Sequence, residues 1–174
     1  MRIFSTYRIG LIGMVVFQPL LRSASAQETA PHEPGVVYYA DASNFKSLAK
    51  EAAPASGRAR FSAKIKGPHA AVRFPPGQTL QFRLCSADPT RYKLYRLRST
   101  KNSRDVTITK INIWIGGGKS ALSESEIPIA VEAADSGCFT LTNKAPLSEG
   151  EYAISPAGEE SAFAFGVGEV TKPE

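Results

Sequence analysis

The residue patterns that do chemistry are serine or cysteine nucleophiles beside a base, metal-ligating clusters and phosphate-cradling glycines. This chain offers a fragment of each. Ser47-Leu48-Ala49-Lys50 has the spacing that lets a lysine one helical turn on lower the barrier to serine attack, but the Lys-Thr-Gly and Ser-Asp-Asn segments that complete such a site are missing. Gly118-Lys119-Ser120 looks like the end of a phosphate-binding loop, yet Ile113 stands where that loop needs its first glycine. The reading adopted there is a plain glycine turn. His32 and His69 have no second ligand at metal spacing, so no metal is expected. Cys85 or Cys138 could pair with His69 as a nucleophile and base. Two cysteines in an oxidising compartment are more often bridged, and a Cys85–Cys138 disulfide is the expectation. No Gly-x-Ser-x-Gly elbow occurs, and pairs such as Glu159-Glu160 lie in polar, turn-like stretches. No catalytic residue and no cofactor are expected.

Charge gives a different kind of candidate. Residues 57–110 hold thirteen Lys or Arg against two acids, whereas residues 120–174 hold ten acids against two lysines. Alternation along strands puts Arg58, Arg60, Lys64, Lys66, Arg73, Arg83, Arg96 and Arg98 on solvent faces as candidate binding residues. Either basic and acidic strands lie side by side and cancel, or the basic strands share a face that attracts an anionic glycan, a lipid or an acidic protein. The near balance of the totals favours cancellation. Tyr92 and Tyr95 lie among these basic residues, as in platforms for single-stranded nucleic acid. They fall on opposite faces of a regular strand, and nucleic acid is not expected as a partner.

The compartment follows from the N-terminus. Arg2 and Arg8 precede an apolar run from Ile9 to Phe17, Pro19 stops any helix, and Ala24-Ser25-Ala26 is a small-x-small cleavage site. Residues 1–26 are expected to be a secretory leader, which makes the mature protein periplasmic or extracellular. The run is too short to span a bilayer and no longer one follows, so no transmembrane segment is expected in the mature chain. The leader carries three arginines and no acid, so the +5 of the full chain falls to +2 in the mature form. The whole-chain charge is therefore no argument for nucleic-acid binding.

The elements that must carry these residues read as strands. Residues 27–35 form a polar, proline-containing arm, 36–168 the domain, and 169–174 a loose tail. Val36 to Tyr39 is the first strand; the 45–53 stretch reads equally as helix or strand. From Arg58 the odd positions Phe61, Ala63 and Ile65 are apolar and the even positions charged or polar, the period of a half-buried strand. Short strands follow at 70–74, 79–84 and 92–97. Residues 105–115 are the strongest β segment, and its phase changes midway, which a β-bulge near Lys110 or a move between sheets would explain. Gly116-Gly117-Gly118 is read as its end. Strands at 127–131, 138–142, 151–154 and 162–167 complete nine or ten, the spacing of a β-sandwich, with a small β-barrel as the alternative. The function expected is a non-enzymatic exported protein that binds a partner or another envelope component, with the basic strand face as one candidate surface. A small exported hydrolase built from dispersed residues and an oligomerising envelope protein are the alternatives; the sequence leaves the oligomeric state open.

Overall fold

The computed structural model is an all-β sandwich of two antiparallel sheets. It describes residues 33–41, 44–57, 60–112, 117–120, 122–134 and 137–169. The expected leader, His32 and most of the N-terminal arm, Arg58, residues 113–116 and the tail beyond Glu169 lie outside them.

β1 (Val37–Asp41) turns back into β2 (Asn44–Ser47), and β3 (Lys50–Ala52) and β4 (Ala55–Ser56) follow closely. The 45–53 stretch is thus extended, because pairing with β1 and burial of Leu48, whose N–H donates to the Val37 carbonyl at 2.8 Å, outweigh its helix-compatible composition. β5 (Arg60–Lys66), β6 (Arg73–Phe74) and β7 (Gln81–Cys85) come next. A 3-10 turn, Pro89–Arg91, is started by the Asp88 carboxylate, which accepts from the Thr90 N–H. β8 (Tyr92–Ser99), β9 (Ser103–Asn112), β10 (Gly117–Ser120), β11 (Glu126–Ile127), β12 (Ile129–Ala133), β13 (Cys138–Asn143), β14 (Gly150–Pro156) and β15 (Ser161–Val167) complete the chain.

Two expectations are adjusted. Gly117 and Gly118 do not end the pairing: they open β10, which runs back along β9. The phase change in β9 is a bulge at Ile108. Phe61 pairs with Thr109 and Ser62 with Thr107, so Ile108 is the extra residue, two positions before Lys110.

One sheet has the order β12-β13-β7-β1-β2. Cys85 and Cys138 lie directly opposite each other on β7 and β13, and their sulfurs are bonded at 1.98 Å. The other sheet has the order β3-β15-β14-β8-β9-β5-β4, with β10 on β9, β11 on β8, and β6 parallel to β15. It curls strongly. β3 pairs with β15 at one edge, and β4, three residues further along the chain, pairs with β5 at the other. One segment, 50–56, thereby draws the two edges together.

The strands β8, β14 and β15 are covered on both faces. On one face Leu94, Tyr152, Ile154, Phe163 and Phe165 pack against Val37, Phe82, Leu84 and Leu141 of the first sheet. Phe74, Phe82 and Phe165 meet with ring centroids 4.9–5.9 Å apart, the spacing of favourable aromatic contacts. The opposite face lines the inside of the curl, where Tyr95, Leu97, Ala153, Ala162 and Ala164 meet Ile65 and Val106.

Candidate functional site

The candidate site arises from a difference in side-chain size across β14 and β15. On β14, Tyr152 and Ile154 point to the core between the sheets, whereas Glu151, Ala153 and Ser155 alternate to the concave side. On β15, Phe163, Phe165 and Val167 point to that core, and Ala162, Ala164 and Gly166 to the concave side. Ala153 and Ala164 are directly paired. Small residues thus face small residues across adjacent strands, and Ala53, Ala55 and Ala63 face them from the far side of the curl. The space left over is a cavity of about 290 Å³. At about 30 Å³ per water-sized unit, it has room for about ten non-hydrogen atoms.

The wall is aliphatic apart from the Tyr95 phenol; Ile65, Leu97, Val106 and Ile108 complete it. Tyr95 is only 7% exposed. Burial raises its pKa, and the nearby Glu126 carboxylate raises it further, so it is a neutral phenol at physiological pH. The mouth is formed by the turn between β14 and β15, with Ser155, Gly158, Glu159 and Glu160. This turn is clipped in place. The Ala157 N–H donates to the Arg91 carbonyl at 2.8 Å, the Arg91 guanidinium returns a bond of 2.8 Å to the Ala157 carbonyl, and the Ala53 N–H donates to the Glu160 carbonyl at 2.9 Å.

The concave face becomes polar at the end away from that turn. Glu151 is held there by the Arg73 guanidinium at 2.5 Å, by the Ala70 N–H at 2.9 Å and by His69 Nδ1 at 3.3 Å. Arg104, at the start of β9, is fully buried; it donates to Glu51 at 2.8 Å and to the carbonyls of Lys66 and Gly67.

The fragments that suggested chemistry stand in other roles. Ser47 ends β2 and Lys50 begins β3, so no helical turn brings the lysine under the serine; Lys50 reaches Glu159 at 3.4 Å. Gly118, Lys119 and Ser120 are extended in β10, whereas a phosphate loop needs glycines opening onto a helix. The Ser155 hydroxyl at the mouth donates to the Ser161 carbonyl at 2.8 Å.

The basic candidates are divided among several surroundings. Arg60 enters β5 opposite Lys110. Lys64 and Lys66 are exposed on β5, and both Lys64 and Arg98 lie opposite Asp105 of the strand between them, Arg98 bonding it at 2.9 Å. Arg73 turns to Glu151. Arg83 lies on the other sheet, with its guanidinium carbon 5.6 Å from the centre of the Phe45 ring. Arg96 donates to the Ser148 hydroxyl at 2.8 Å and the Glu149 carbonyl at 3.0 Å, beside the Tyr152 ring. Among the described side chains, Lys64, Lys66 and Arg98 form a row.

Sequence reasoning missed the cavity. The signal was present in 151–154 and 162–167: aromatic and aliphatic residues in one phase, alanine in the other. No protein-family model matches the chain, and neither characterised proteins nor solved structures include a match to it, so the cavity and the charge placement carry the functional reading.

Proposed function

We propose that this chain is an exported, non-enzymatic binding protein that holds a small apolar ligand in the cavity of its curled sheet. The observation that carries the reading is the segregation of side-chain size across β14 and β15, which keeps large residues out of one face of strands whose other face is filled with them. Natural ligand sites have this make-up: a concave, mostly apolar wall with few polar groups. Export is supported by the leader-like residues 1–26 and by the disulfide, a bond that persists in oxidising compartments.

The test is titration of the purified, oxidised protein with N-phenyl-1-naphthylamine, a neutral dye that brightens in apolar surroundings. Saturable, one-to-one enhancement is expected. Ala153→Phe, which fills the cavity, should weaken it by about tenfold or more without lowering the unfolding midpoint. Ala162→Leu serves the same purpose if the larger ring is not accommodated. No enhancement, or equal enhancement in a folded cavity-filled variant, overturns the proposal.

A second reading rests on the row of Lys64, Lys66 and Arg98, which share an outward face across β5, β9 and β8. There the partner is an anionic envelope component or an acidic protein, and the surface is separate from the cavity.

A further inference from the structure

The mouth of the cavity says what kind of polar group its ligand carries, provided the cavity binds a ligand as proposed above. Of the described residues that line it, none is lysine, arginine or histidine, whereas Glu159 and Glu160 stand at the rim. Glu159 is engaged by Lys50 at 3.4 Å and by the Ser161 hydroxyl at 3.3 Å. The exposed Glu160 carboxylate has no paired cation among the described residues.

A second observation is independent of these carboxylates. Tyr95 is more than nine-tenths buried in the cavity wall, and its hydroxyl has no hydrogen-bond partner among the described residues. The ring is buried, while the hydroxyl oxygen keeps accessible surface at the wall. Here the phenol oxygen is open to whatever occupies the cavity. Glu126, opposite Tyr95 in the pairing of β11 with β8, acts electrostatically on the phenol but is itself paired with Lys93 at 3.7 Å, so among the described lining residues the unbalanced negative charge is that of Glu160.

We infer that the ligand is an amphiphilic amine: a hydrocarbon chain or ring of about ten non-hydrogen atoms in the cavity, and an ammonium group at the Glu160 rim. An anionic head at the same mouth meets the unpaired Glu160 carboxylate, while the Lys50 ammonium is already engaged by Glu159. A cationic head meets a carboxylate free to pair with it, at a low-dielectric edge where such a pair is less screened than in bulk water. The Tyr95 oxygen accepts an N–H from an ammonium group drawn inward, and its ring face favours a cation over a carboxylate.

Displacement of bound N-phenyl-1-naphthylamine by three compounds of one chain length tests this at neutral pH and low salt: n-octylamine, n-octanol and octanoate. The amine is expected to displace the dye about tenfold more effectively than the alcohol, and octanoate to be the weakest. In Glu160→Gln the amine should fall towards the alcohol while the alcohol is unchanged; Tyr95→Phe should weaken the amine by a smaller factor. If the alcohol displaces the dye and the amine does no better, or if Glu160→Gln leaves the preference intact, the head-group inference fails and the apolar-cavity reading survives. If none of the three displaces the dye, both fail.

Discussion

Glu151 sits on the second position of β14, 3% exposed, with its carboxylate facing into the curled sheet. A carboxylate there is tolerable only when paired and hydrogen-bonded, and Arg73, the Ala70 N–H and His69 supply this. The arrangement also explains Gly166. It is Glu151's direct partner on β15, and a Cβ added there would collide with the Arg73 guanidinium. Two variants follow from this. Arg73→Ala leaves the carboxylate buried without its cation and should cost about 3–5 kcal/mol, read as a lower urea midpoint. Gly166→Ala should destabilise through the same contact, since the guanidinium must leave its position. A midpoint for Arg73→Ala within error of the parent protein would show that the pair contributes nothing. The sequence placed Arg73 among solvent-facing basic residues. Strand alternation gives a side chain's face, but not the acid 78 residues along the chain that the fold brings to meet it.

Individual strands were the most legible level, because a period of two survives whatever the strand pairs with. The burial of Phe82, Leu84 and Ile65, with Ala63 half-buried, agrees with it, as does the opposite facing of Tyr92 and Tyr95. The 45–53 stretch was not legible because its strands depend on neighbours: β2 on β1, and β3 on β15, more than a hundred residues away. Strand order was hidden for the same reason. The disulfide was legible from cysteine count and the expected compartment. It ties β7 to β13 across a sequence separation of 53, for which loop-closure entropy gives about 4 kcal/mol. Reduction, or Cys85→Ser with Cys138→Ser, should lower unfolding stability by about 2–5 kcal/mol in denaturant melts. The bridge belongs to the sheet that does not line the cavity. Dye binding to the folded, reduced protein should therefore match that of the oxidised protein. Loss of dye binding before unfolding would mean that the two sheets do not act independently.

The separation of charge between the two halves of the chain takes on a specific form in the folded molecule. Some of it cancels across strands, as in Arg73 with Glu151 and Lys93 with Glu126 at 3.7 Å. On the outward face of β5, β9 and β8 it does not cancel fully. Lys64 and Arg98 both stand opposite Asp105, Lys66 stands opposite Ser103, and one carboxylate balances only one of these three cations. The row keeps an excess of two positive charges, comparable to the +2 net charge of residues 27–174. An excess of that size steers an anionic partner, and salt of physiological strength screens it over about 8 Å. On a sulfated-glycan resin the protein is therefore expected to bind at low salt and elute early in a salt gradient. Lys64→Glu with Lys66→Glu, which turns the local excess from two positive to two negative, should abolish retention and leave dye binding unchanged. Equal elution of the variant and the parent would mean that the row is no binding surface and that its lysines are only solvated. Retention lost together with dye binding would mean that the outer face and the cavity are one site. Retention lost alone would give the molecule two separate surfaces, an apolar cavity with an acidic mouth and a basic outer row.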